Sequence, residues 1–173
     1  MNLSSFEKSG QSGLFTRGRR IYCNPTNAQS FHIPDGVTKI FAVAIGAGGG
    51  GEGIREDDGQ TISQGGAGGG YAQGVISGLT PGNTITCTVG LGGEGRDQHQ
   101  SPQAGGTTSF GSYLTANGGG AGSSHSSYGS YFNYQTKEGQ GGSASTSGVT
   151  EGHTAAGGGQ SPGWARASDY TGY

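Results

Sequence analysis

The apolar residues of this chain fall in short alternating runs, separated by stretches that carry almost no side chains. Phe31 and Ile33 alternate with polar neighbours, and Pro34-Asp35-Gly36 then supplies turn residues. Residues 37–45 form the strongest run. Phe41, Val43 and Ile45 occupy one side and Ile40, Ala42 and Ala44 the other, the two-residue period of a strand. Because both sides are apolar, this strand is expected at the centre of a sheet, covered on both faces. Residues 71–76 predict a second strand. A turn at Leu79-Thr80-Pro81-Gly82-Asn83 leads into a third at 84–89, with Ile85, Cys87 and Val89 inward. Residues 107–116 predict a fourth, anchored by Phe110 and Leu114. No segment of ten residues carries an amphipathic 3.6-residue repeat, so no helix is predicted and the class is all-β.

What separates these runs is glycine. Tracts lie at 46–53, 65–70, 90–95, 104–106, 118–122, 139–142 and 157–159, and most begin where a strand stops. The chain has 41 glycines in 173 residues, against about 7% in ordinary proteins. Five prolines without a G-X-Y period exclude collagen. A net charge of -2 lacks the self-repulsion of a typical disordered chain. Flexible Gly/Ser linkers separate whole domains, whereas these tracts punctuate one fold. Without a Cβ, glycine can form an extended helix of three residues per turn, about 3.1 Å per residue, whose backbone groups bond to neighbouring helices. The tracts are therefore expected to form a glycine-only layer beside the strands. Its structural glycines are Gly46, Gly48, Gly49, Gly50, Gly66, Gly68, Gly69, Gly70, Gly118, Gly119 and Gly120. A side chain at these positions would hold neighbouring backbones apart.

The first tract raises another possibility, since Gly46, Gly48 and Gly51 satisfy G-x-G-x-x-G after a strand. A dinucleotide site also needs a following helix and an acid about twenty residues on. Residues 52–64 show no apolar helical stripe, Asp57 and Asp58 come too early, and the twenty-residue mark falls among glycines. No cofactor is assigned. His32, His99, His125 and His153 have no nucleophile or carboxylate at a telling spacing, and Glu56-Asp57-Asp58 lacks a twelve-residue calcium loop. The expectation is a protein without enzymatic activity, catalytic residues or metal. Cys23 and Cys87 are read as reduced, because Met1 to Gly10 has no apolar secretion signal. No run of 18 apolar residues predicts membrane insertion.

The ordered strings match a known layout. "FHIPDGVTKIFAVAIGAGGGG", "GGAGGGYAQGVISGLTPGNTITCTVGLGGEG" and "GGTTSFGSYLTANGGGAG", in a match that covers about residues 30–122, resemble the glycine-rich domain of bacteriophage tail fibres and adhesins. The layout is also similar to the glycine-rich ectodomain region of anaplastic lymphoma kinase and leukocyte receptor tyrosine kinase. The resemblance implies a glycine-rich β-sandwich with polyglycine II helices packed beside the strands. It also implies a virion protein at the host-facing apparatus, assembled in the host cytoplasm, as a homotrimer. Residues 1–29, with Arg17, Arg19 and Arg20, then read as an arm that docks other virion tail proteins, not as a nucleic-acid contact, given the acidic balance overall. Other readings are a structural joint or decoration protein of the virion, and a bacterial surface or receptor-type module.

Residues 123–173 lie beyond the matched strings. Within them Tyr128, Tyr131, Phe132, Asn133 and Tyr134 interleave aromatic and small polar side chains, a mixture suited to recognition. They are the candidate receptor contacts, toward a host saccharide or outer-membrane protein; the alternative is that these aromatics pack on the glycine layer or between subunits.

Overall fold

A computed structural model describes residues 18, 20–22, 24, 25, 28–52, 65–95, 101–122 and 139–159. Among them there is no helix; eight strands form two antiparallel sheets. The strands are β1 (Gln29–His32), β2 (Lys39–Ile45), β3 (Tyr71–Ser77), β4 (Thr84–Thr88), β5 (Thr108–Phe110), β6 (Leu114–Ala116), β7 (Ala144–Thr146) and β8 (Val149–Ala155). The larger sheet has the order β1-β4-β5-β6-β7, and the smaller has β2-β3-β8. The two stack as a sandwich, with β2 over β5 and β6, β3 over β6 and β7, and β8 beside β7.

The turns follow their sequence signals. Val37 N–H donates to Pro34 O at 3.1 Å and Asn83 N–H to Thr80 O at 3.2 Å, closing the two proline–glycine turns. Gly82 has φ 84°, a conformation that favours glycine.

Three expectations are corrected. Residues 107–116 do not make one strand but a hairpin, β5 and β6. Gly111 at φ 52° reverses the chain, and Tyr113 N–H donates to Phe110 O at 3.1 Å. Phe110 and Leu114 thus face each other across the ladder instead of sharing a strand. Second, β7 and β8 were not expected, since STSGVTEGHTA offers Val149 as its only large apolar residue; pairing with β6 and β3 supplies the order that local pattern lacks. Third, β2 is not central. It is an edge of the smaller sheet, and Phe41 (61% exposed), Val43 (47%) and Ile45 (61%) face outward. Only the other face, with Ile40, Ala42 and Ala44, packs inward.

Side-chain volume declines along the core. At the end bearing the proline turns, Ile33, Ile76, Leu79 and Ile85 pack together with Phe31 and Phe110. Further along, the core is Ala44, Ala72, Ala116 and Leu114. The inward positions of β2 read Ile40, Ala42, Ala44 and then Gly46; those of β6 read Leu114, Ala116 and then Gly118. Facing sheets ordinarily stand about 10 Å apart because side chains fill the gap. Here the filling shrinks to nothing, and the backbones converge.

Beyond this point lies the glycine layer, and its hydrogen bonds recur every three residues. Gly46 and Gly49 N–H donate to Gly70 and Ala67, whereas Ala47 and Gly50 donate to Gly106 and Gln103. Ala67 and Gly70 donate to Gly120 and Asn117; Asn117 and Gly120 donate to Ser143 and Gln140; Gly119 and Gly122 donate to Ala47 and Gly50. Each tract thus addresses different neighbours in rotation, as a polyglycine II helix with three residues per turn must. Burial has the same period: Ala116, Gly119 and Gly122 are buried, as are Gly139 and Gly142.

Most predicted structural glycines are held by this packing. A Cβ at Gly46, Gly49, Gly50, Gly66, Gly69, Gly70, Gly118 or Gly119 would overlap a carbonyl group of an adjacent segment. At Gly120 it would come to 3.0 Å from Gln140 N. Gly48 and Gly68 differ. Both face solvent, and a Cβ would meet nothing closer than 3.8 Å and 3.4 Å respectively.

Candidate functional site

The register of the tracts decides where the polar connections emerge. Residues 46–50 run antiparallel to 67–70, 91–94 to 103–106, and 117–120 to 140–143. In every pair one end continues into the strands. The other end carries a connection: 53–64 in the first pair, 96–100 in the second, 123–138 in the third. The last tract, leaving β8, pairs through Gly157 N–H to Gly142 O and ends at Gly159, before residues 160–173. The described residues flanking these segments, Glu52, Gly65, Gly95, Ser101, Gly122, Gly139 and Gly159, therefore share the end of the glycine layer farthest from the sandwich.

The chemistry of the chain is concentrated in what those residues flank. Of eight tyrosines, Tyr128, Tyr131, Tyr134, Tyr170 and Tyr173 belong to these segments, as do Trp164, His99 and His125. The predicted receptor contacts Tyr128, Tyr131, Phe132, Asn133 and Tyr134 lie outside the described residues. Their attachment does not: Gly122 N–H donates to Gly50 O at 2.9 Å, and Gly120 N–H to Gln140 O at 2.8 Å. Segment 123–138 thus leaves and re-enters on adjacent, mutually bonded tracts.

The G-x-G-x-x-G string is part of the layer. Gly46 and Gly49 direct their N–H groups to Gly70 and Ala67, and Gly48 O accepts from Gly93 N–H at 2.8 Å. Those amides, which would cradle a phosphate in a nucleotide site, are engaged by neighbouring backbone. His32 and His153 are exposed on β1 and β8. Among the described residues no group of three His, Cys, Asp or Glu side chains could hold a metal, and no helix is long and apolar enough to cross a membrane. Cys87, on β4 opposite Gln29 of β1, is a free, buried thiol. Burial pushes its pKa up, against the opposing pull of the Phe31 backbone hydrogen bond.

The reading of the sequence missed one surface. In the cross-strand register Phe41 faces Val75, Val43 faces Gln73 and Ile45 faces Tyr71, so β2 lays an apolar stripe along the outer face of the smaller sheet. Its two-sided apolar pattern was the signal, but pattern alone does not say whether the second side is covered from within the chain or from outside it.

The family described as "Glycine-rich domain" matches residues 24–173, and the chain belongs to that family. Neither a curated protein nor a solved structure matches it.

Proposed function

We propose that this member of the glycine-rich domain family is a non-enzymatic bacteriophage tail-fibre or adhesin component that contributes to host-surface attachment. The observation that carries the reading is the convergence, at one end of a hydrogen-bonded glycine layer, of the residues that flank 53–64, 96–100 and 123–138, together with Gly159. Binding residues are commonly held on loops by a rigid scaffold. A layer made of bonded backbone meets that need without a large core. Support also comes from the likeness of residues 30–122 to fibre glycine-rich domains. In this reading segment 123–138 touches a host saccharide or outer-membrane protein, and aromatic residues such as Tyr131 and Tyr134 supply broad, rigid contact area.

The test is adsorption of the labelled full chain to a panel of bacterial cells and their isolated surface saccharides. Binding to a subset of strains is expected, and Tyr131→Ala with Tyr134→Ala should abolish it while the melting temperature stays unchanged. Interface aromatics commonly cost about 2 kcal/mol or more each when truncated, so the pair would weaken one contact by about a thousandfold. Normal adsorption by the double variant would refute the assignment to this segment. Absence of binding to any strain would favour the virion joint that docks neighbours through residues 1–29.

A further inference from the structure

The two sheets have four edges, and three of them are poor templates for another strand. β1 has four residues and β7 three. β8 is longer, but its register with β3 shifts between Gln73 and Val75, and Glu151 sits at φ 53°, uncommon for a residue with a side chain. Short, bulged or charged edges are how folded proteins keep strands from pairing with other chains. β2 has only one of these protections, the charge of Lys39 at its first position. It runs seven residues, its pairing with β3 is unbroken, and between Lys39 and Glu52 it carries no charge and no proline.

Its backbone is oriented for pairing. Gly46 N–H donates to Gly70 O at 2.8 Å, one step beyond the β2–β3 register. Antiparallel ladders alternate bonded and outward residues. The even-numbered residues of β2 therefore bond β3, and the N–H and C=O groups of Phe41, Val43 and Ile45 point to the open side. The described residues place no strand there. The same three residues are the exposed apolar ones on the outer face.

We propose that β2 is a self-association edge: two copies pair their β2 strands antiparallel about Val43, joining two three-stranded sheets into one of six strands. The occupant is a second copy because the strand is self-complementary. Phe41-Ala42-Val43-Ala44-Ile45 reads large, small, medium, small, large in both directions, as a two-fold contact requires. Centred on Val43, the pairing sets Phe41 beside the partner's Ile45 and makes about six backbone hydrogen bonds from three bonded residue pairs. Each Lys39 lies at an opposite end, about 27 Å apart along the strand axis at 3.4 Å per residue, well beyond the roughly 8–10 Å range of charge repulsion in physiological salt. The pairing stretch is five residues, about 17 Å, so the interface is small and the dimer concentration-dependent.

Sedimentation velocity of the full chain across about 1 µM to 1 mM tests the proposal, with a monomer–dimer equilibrium as the expected result. Val43→Lys and Val43→Glu should each be monomeric at every concentration, because each places like charges on the two-fold axis. An equimolar mixture of the two should recover dimers. Should either variant fail to fold, amide exchange of the unaltered protein decides the matter: Phe41, Val43 and Ile45 should gain at least tenfold protection on concentration, while Ile40 and Ala42 stay unchanged. A monomer throughout, a trimer, or a dimer indifferent to both charges would overturn the proposal. Host adsorption through residues 123–138 is a separate measurement, and either reading can fail without the other.

Discussion

The sandwich and the glycine layer are two solutions to the same packing problem within one chain. In the sandwich, backbones stay far apart and side chains such as Ile33, Ile76 and Leu114 fill the space, all at most 2% exposed. In the layer, backbones come close enough that a single Cβ at Gly66 or Gly118 would strike a neighbouring carbonyl. The first half gains stability by removing apolar surface from water. The second gains it from hydrogen bonds between tracts that would otherwise bond to water, each contributing about 0.5–1.5 kcal/mol net. The difference teaches that the two halves should respond to opposite substitutions. The sandwich should fail when atoms are removed, and the layer when atoms are added.

The largest effect is expected from adding atoms where the layer is tightest. Gly118→Val sets three carbons against the backbone of Gly105, which cannot rotate away as a side chain would. A loss of more than about 3 kcal/mol is expected, above the usual 1–3 kcal/mol of an overpacked core, because the obstacle is itself bonded main chain. Urea denaturation gives the value; a loss under about 1 kcal/mol would mean that the tracts separate freely.

Removing atoms from the sandwich comes next. Leu114 is fully buried between Ala44, Ala72 and Ala116. Leu114→Ala should cost about 2–5 kcal/mol, toward the upper end if the small neighbours cannot close the cavity. Thermal unfolding should show a lower Tm with the strand pattern retained.

A smaller effect separates glycines within the layer itself. Gly48 and Gly68 lie in the same tracts as Gly49 and Gly66, yet both face solvent with room for a Cβ. Gly48→Ala should change stability by less than about 1 kcal/mol, in either direction, since the lost unfolded-state freedom offsets any minor contact. Gly49→Ala, one residue away, should be strongly destabilising. Equal effects at the two positions would contradict the three-residue rotation of the tract.

The smallest effect is a pH response confined to the sandwich. The neutral Cys87 thiol is favoured in the folded state, since its pKa is raised by burial. Its contribution is full below the unfolded thiol value of about 8.5 and declines as pH rises through the raised folded value. The melting temperature should therefore fall above about pH 8.5, and Cys87→Ala should flatten that part of the decline.

The two halves were also unequally legible. Pro34-Asp35-Gly36 and Thr80-Pro81-Gly82-Asn83 named their turns because proline and glycine fix φ locally. The alternation at 37–45, 71–76 and 84–89 named three strands. β7 and β8 escaped because one valine in eleven residues carries no periodic signal, and their order comes from partners distant in sequence. Gly111 escaped because one glycine inside an apolar run does not announce a reversal. In the layer, the three-residue helix follows from glycine's lack of a Cβ, but which glycine faces a neighbour depends on rotational phase. Identical residues cannot encode that phase. The outward face of β2 was misplaced for a related reason, since hydrophobicity marks a surface to be covered and not what covers it. The candidate contacts at Tyr128 to Tyr134 were legible only as composition, and they lie outside the described residues.

The orientation of the tracts has a mechanical consequence. The segments that flank the polar connections lie at one end and the strands at the other, while the bonds that join different antiparallel pairs, Ala67 to Gly120, Gly119 to Ala47 and Gly50 to Gln103, run crosswise. A tensile load drawn on one connection runs along its own pair of tracts and meets the bonds to neighbouring pairs sideways. They must then yield together in shear; they cannot unzip one after another from an edge. A short bundle of backbone, almost without side chains, would resist such a pull far better than its small apolar core suggests.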